Sequence, residues 1–196
     1  MNETALTREK ILEAAEEVLR RFGPSKATVV DVARALGVSH GSVYRHFASK
    51  AELRDAALDV WLTRLSEPLE AIVAQDAPAG ERLSRWLREL IALKRRRLAD
   101  DPELFATYGA LGMEAGTAVK EHVGHLTEQL RRILADGAAR GELQVEDPAT
   151  AARAVLSATA RFHHPAHAAD WTNPQIDADF DAVWALVLRG LKPGLR

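Results

Sequence analysis

Residues 37–53 read GVSHGSVYRHFASKAEL, and the reading of this stretch decides the fold. Gly37 closes the helical run before it, and Ser39 is placed to cap a short helix through Phe47. Val38, Val43 and Phe47 supply the packed side of that helix. Ser49-Lys50-Ala51-Glu52 forms a capping box that opens a longer one. Ser39, His40, Ser42, Tyr44, Arg45 and His46 remain on the other side. Whether that polar side meets water or a partner decides what the protein does.

The residues before it give the short helix a companion. Thr7 caps a first helix, with Leu6 and Ile11 as a hydrophobic staple across the cap, and Gly23-Pro24 stops it. Thr28-Val29-Val30-Asp31 starts a second, short helix carrying Val29, Val32, Ala33 and Leu36. Two short helices joined by a glycine-containing turn describe a helix-turn-helix, whose second helix enters the DNA major groove. The charge agrees. The chain carries a net −2, yet Lys26 to Lys50 holds four basic residues (Lys26, Arg34, Arg45, Lys50) against one acidic, Asp31. An acidic remainder disfavours DNA everywhere except at this segment.

The residues TREKILEAAEEVLRRFG (7–23) and ATVVDVARALGVSHGSVYRHFASKAEL (27–53) closely resemble the N-terminal region of the tetracycline-repressor (TetR/AcrR) family of bacterial transcription regulators. The resemblance covers about Thr7 to Leu58 and rests on T-V-x-D-V-A, G-V-S, Tyr-x-His-Phe and a Ser-Lys pair in that order. Later stretches, DDPELFATYGAL, ARGEL, RFHHPAHAADW and VLRGL, look like one branch of the same family. The resemblance implies that Tyr44 and His46 contact phosphates, with Lys50 adding charge and Thr28 donating at the second helix's start. It assigns base reading to Ser39, His40, Ser42 and Arg45, with Gly41 allowing close backbone approach.

Helical spacing continues to the C-terminus without strand alternation, so the predicted class is all-α, with about nine helices. Three short helices make a DNA-binding domain over 1–48, and residues 49–196 make an effector-binding and dimerisation bundle. A fourth helix from about 50 to 75 connects the two. Asp101-Pro102, Asp147-Pro148 and Asn173-Pro174 each read as an N-cap followed by proline at the first helical position.

In the second bundle Trp61, Leu65, Trp86, Leu90, Phe105, Tyr108 and Met113 are large residues suited to an apolar effector pocket. Lys94-Arg95-Arg96-Arg97 cannot all share one solvated side, because neighbours on a helix are about 100° apart. The apolar spacing puts Lys94 and Arg97 near the inward edge, where an anionic ligand group could meet one of them; His122 is a further polar candidate. Ile176, Phe180, Val183, Trp184, Val187 and Leu188 form a clean apolar stripe on the last helix. With Leu156 on the alanine-rich helix from Asp147 to about Phe162, this stripe is the expected homodimer interface.

A second reading gives His122, His125, His163 and His167 to a divalent transition metal. Otherwise no cofactor is expected beyond a small-molecule effector. The absence of cysteine excludes disulfides and thiolate sites. The sequence holds no nucleophile elbow, P-loop or H-E-x-x-H, which argues against an enzyme. A helical partner protein without DNA remains a third possibility. With no stretch of signal-peptide type and none long and apolar enough to span a membrane, a cytoplasmic location is expected.

Overall fold

The computed structural model describes residues 6–114 and 116–192, and among them it forms ten α-helices and one 3-10 segment, with no strand. The chain divides into two compact units. One comprises residues 1–63 and 98–121; the other comprises residues 64–97 and 122–196.

In the first unit, α1 (Arg8–Lys26) begins at Thr7, whose hydroxyl accepts from the Lys10 N–H, and is interrupted at Gly23 as its Gly-Pro pair predicts. α2 (Val29–Leu36) starts on a complete capping box between Thr28 and Asp31 and ends at Gly37, held at φ 66°. That left-handed conformation carries little penalty for glycine and lets the chain reverse directly into Ser39. α3 spans only His40–Tyr44, shorter than the run through Phe47 expected from spacing. Arg45 already closes the helix, and the chain must straighten to reach the Ser49 box, where Glu52 N–H bonds to Ser49 and Glu52 takes the Ala48 N–H.

Residues 50–63 of α4 (Lys50–Val73) follow, the rest of that helix lying in the second unit, and α6 (Pro102–Glu114) belongs to the first. Asp101 caps α6 through the Leu104 N–H at 3.0 Å and also accepts from Arg20 of α1 at 2.5 Å. Trp61 of α4 stacks on Tyr108 of α6 with ring centroids 4.8 Å apart and meets Phe105 edge-on at 5.9 Å.

The second unit is built on α5 (Ala79–Asp100), α7 (Gly116–Ala139), α8 (Pro148–Ala158), α9 (Ala160–His163) and α10 (Ile176–Leu191), with a 3-10 segment over Pro165–Thr172. α5 turns Leu83, Trp86, Leu87, Leu90 and Lys94 inward, an i, i+3, i+4 pattern. Three helices are clamped by one buried polar relay. Trp86 Nε1 donates to Gln129 Oε1 of α7 at 2.9 Å, and Gln129 Nε2 donates to the Ser66 carbonyl of α4 at 3.1 Å.

The alanine-rich helix does not run on to Phe162 unbroken. Thr159 leaves helical geometry and donates its hydroxyl to the Val155 carbonyl at 2.8 Å, dividing α8 from α9. Asp147 caps α8 as its Asp-Pro pair predicts. Asn173 instead makes a local turn to the Gln175 N–H, and α10 starts later, at Ile176.

Gly137 of α7 marks a close approach. A β-carbon built there would lie 2.5 Å from Ala79 Cβ and 2.7 Å from Leu143 Cδ1. Replacing Gly137 with alanine is expected to destabilise the second unit by about 2 kcal/mol, since overpacking outweighs the better helix propensity. The thermal midpoint should fall by about 5 °C; an unchanged midpoint would mean that Ala79 and Leu143 give way freely.

Candidate nucleic-acid interface and effector site

The helix α3 is held from beneath. Val43 and Phe47 are buried, so α3 is fixed by one side, while Ser39, His40, Gly41, Tyr44 and Arg45 are exposed. Tyr44 keeps 45% of its surface in solvent and meets His40 edge-on, with ring centroids 6.4 Å apart. The polar side chains are pre-arranged by one another. Ser39 Oγ accepts from the Ser42 N–H at 3.1 Å and lies 2.9 Å from Ser42 Oγ, which accepts from Arg45 at 3.1 Å. His46 and Lys50 are half-buried at the edge of this face. Thr28 is exposed, but its hydroxyl already bonds Asp31 at 2.6 Å and, as the largest cause, holds that carboxyl below its usual range.

Arg8 was not singled out by its sequence context. Its guanidinium lies 4.0 Å from the centroid of the Phe47 ring, donates to the His46 carbonyl and pairs with Glu52 at 3.7 Å. An arginine in the first turn of a helix opposes the helix dipole, and that is the signal of a tertiary partner.

The expected effector residues are drawn from both units. Trp61, Phe105 and Tyr108 make the aromatic cluster of the first unit, whereas Leu65, Trp86, Leu90, Lys94 and His122 are buried in the second. The Met113 side chain lies outside the described residues. Arg97 is exposed, so of the two cations near the inward edge of α5 it is Lys94 that turns in. Lys94 retains 7% exposure, and burial lowers its pKa from 10.5 to about 8. His122 on α7 and His163 on α9 are each pushed down to about 3, first by burial and then by the Lys94 charge.

The four histidines proposed for a metal are not a site. His122 and His163 are buried, His125 and His167 are exposed, and Pro165 ends the helix that would have aligned the second pair. Among the described residues no three His, Asp or Glu side chains gather for a metal ion.

Three residues of the apolar stripe of α10 are placed differently from expectation. Ile176, Phe180 and Trp184 are buried in the core of their own subunit, and Val183, Val187, Leu188 and Leu156 are partly buried against it. The opposite side of α10 carries Ala178, Ala182, Ala185 and Leu186, all exposed, Leu186 by 63%. Amphipathic spacing identifies a buried side without saying what buries it.

Residues 11–57 match the model for bacterial regulatory proteins of the tetR family, and residues 79–184 match that for the tetracyclin repressor-like C-terminal domain. The chain belongs to the TetR family. As a TetR-family chain it is grouped with bacterial regulatory proteins. It is 45% identical over 53 residues to the HTH-type transcriptional regulator TtgR of Pseudomonas putida, a stretch covering 27% of this chain and 25% of that protein. The chain therefore spans about a quarter of that relative's length. Over 94% of this chain and 95% of the relative it is 26% identical to the nucleoid occlusion factor SlmA of Vibrio atlanticus. A TetR/AcrR-family regulator from Thermobifida fusca is 25% identical, with a TM-score of 0.66 over 93% of this chain and 97% of that one. No helix among the described residues is long and apolar enough to cross a membrane.

Proposed function

We propose that this TetR-family chain is a cytoplasmic, ligand-responsive repressor that grips a palindromic operator as a homodimer and is released by a small molecule. The observation that carries the reading is the outward polar face of α3, ordered by its own hydrogen bonds over a buried Val43 and Phe47. In this reading residues 1–48 bind DNA and residues 49–196 serve the effector and the partner subunit. Tyr44, His46 and Lys50 hold phosphates, joined by Thr28 once its hydroxyl exchanges Asp31 for a phosphate oxygen. Ser39, His40, Gly41, Ser42 and Arg45 meet the bases.

Two such heads about 34–36 Å apart match half-sites one turn apart. The exposed small side of α10, with Ala154 and Ala158 of α8, is the surface that supports pairing of subunits. An effector that binds one arrangement of the dimer better than the other lowers DNA affinity by that difference in binding free energy.

The test is a gel shift of the full chain on duplex DNA from beside its own gene, across roughly 50 to 200 mM salt. Tyr44→Ala and Lys50→Ala should each weaken binding at least about tenfold, and Lys50→Ala, which removes a charge, should also reduce the salt slope by about one. Both variants should still elute as folded dimers. Affinities equal to wild type, or no preference over scrambled duplex, would overturn the reading.

A further inference from the structure

Three basic side chains on three helices are buried in the second unit: Lys94 of α5, His122 of α7 and His163 of α9. The Lys94 charge acts on His122, His163 and His164, and His122 also feels His125. Every titratable neighbour among these influences is a base. Among the described residues no carboxylate pairs with Lys94, although most arginines of this unit have one. Neither ring nitrogen of His122 has a hydrogen-bond partner, and His122 is only 6% exposed.

His163 is different. Its Nε2 lies 3.2 Å from Thr159 Oγ1, whose proton goes to the Val155 carbonyl, so the hydroxyl oxygen is left to accept from the ring. Buried polar groups are otherwise nearly always satisfied, and an unpaired buried cation is costly. This corner of the unit is built to hold negative charge that the chain itself does not supply.

We infer that Lys94 and His122, backed by His163, form the receptor for the carboxylate of an apolar acid, whose body lies against the surrounding core. The charge sets the class of head group. One ammonium and one imidazole N–H suit a monoanion with two acceptor oxygens, and a phosphate dianion would be left half-compensated. The walls set the class of body. Leu90 and Ile91 lie one turn from Lys94, Leu126 one turn from His122, and Phe162 beside His163, all buried. The inference rests on the effector-responsive reading above and names the chemistry of the effector.

The experiment measures binding of octanoate, dodecanoate and benzoate to the full chain at neutral pH by calorimetry, with octanol as the uncharged control. Wild type should bind the carboxylates more tightly than octanol. Lys94→Met should weaken octanoate by about 10- to 100-fold and leave octanol unchanged, the loss expected for one charge-assisted contact. His122→Phe should weaken octanoate by about tenfold. Lys94→Gln, which keeps a donor without the charge, serves if the methionine variant misfolds by circular dichroism.

The inference is overturned if none of the three acids binds wild type, or if the Lys94 variants bind them as tightly. A parallel gel shift separates it from the functional reading. Release of operator by octanol but by none of the acids would remove this inference and keep the effector-responsive regulator. Lys94-dependent acid binding by a protein that prefers no DNA sequence would do the reverse.

Discussion

Lys94→Met is expected to make the unliganded protein more stable, by on the order of 3 kcal/mol at pH 7. The folded state lowers the Lys94 pKa from 10.5 to about 8 through burial alone. Each pKa unit corresponds to about 1.4 kcal/mol. Below pH 8 both folded and unfolded chains carry the proton, and the folded chain bears the whole cost of burying it. Between about pH 8 and 10.5 the folded state releases the proton while the unfolded state keeps it, so wild-type stability rises with pH.

Methionine has a similar stem and no charge, so the variant should lack that rise. Urea titrations of both proteins at pH 7 and pH 10 check this: the gap between them should shrink at the higher pH. A methionine variant no more stable than wild type at pH 7 would mean that Lys94 reaches water in solution. Loss of octanoate binding together with a gain in stability would mark Lys94 as a residue kept for its ligand.

The opposite effect is expected at Gln129. Gln129→Leu fills nearly the same volume but removes both ends of the relay, leaving Trp86 Nε1 without its acceptor and the Ser66 carbonyl without its side-chain donor. Leaving the buried Trp86 N–H unsatisfied costs about 1–3 kcal/mol, and the lost bond to the Ser66 carbonyl about 0.5–1.5 kcal/mol more, so a total loss of roughly 2–4 kcal/mol is expected. Near-ultraviolet circular dichroism and a denaturant titration check it. Adding Trp86→Phe should recover part of the loss, because it removes the stranded indole N–H. If the leucine variant matches wild type, water reaches Trp86 and the three-helix clamp is not closed.

The local signals of the sequence translate well into structure where one turn of chain contains the whole cause. Thr7, Thr28, Ser39, Ser49 and Asp147 each cap the helix expected of them, because a hydroxyl or carboxylate and an N–H two or three residues on are all that a cap needs. Arg8 and the break at Thr159 depend on partners or geometry that local propensity does not weigh. Lys94 and Arg97 differ by only three residues and both lie near the inward edge, so spacing leaves the choice to packing. On α10 the cleanest apolar stripe serves the subunit's own core. The exposed side is mostly small, with Ala178, Ala182 and Ala185 beside Leu186, and alanines leave little mark on a hydrophobic pattern. Histidines in two sequence pairs look like a ligand set until burial separates them.

The first unit is made from two pieces of chain, residues 1–63 and 98–121. α1 is joined to α6 through Arg20 and Asp101, and α4 to α6 through Trp61, Phe105 and Tyr108. The reading head is therefore not a cassette that one cut can detach. A fragment ending near residue 48 would leave behind α6 and lose the Arg20–Asp101 pair that joins α1 to it. Exchanging operator specificity between relatives by grafting only the N-terminal segment would likewise keep the recipient's α6 beneath a foreign α1. A graft that carries residues 98–121 along with the N-terminal piece transfers the unit whole.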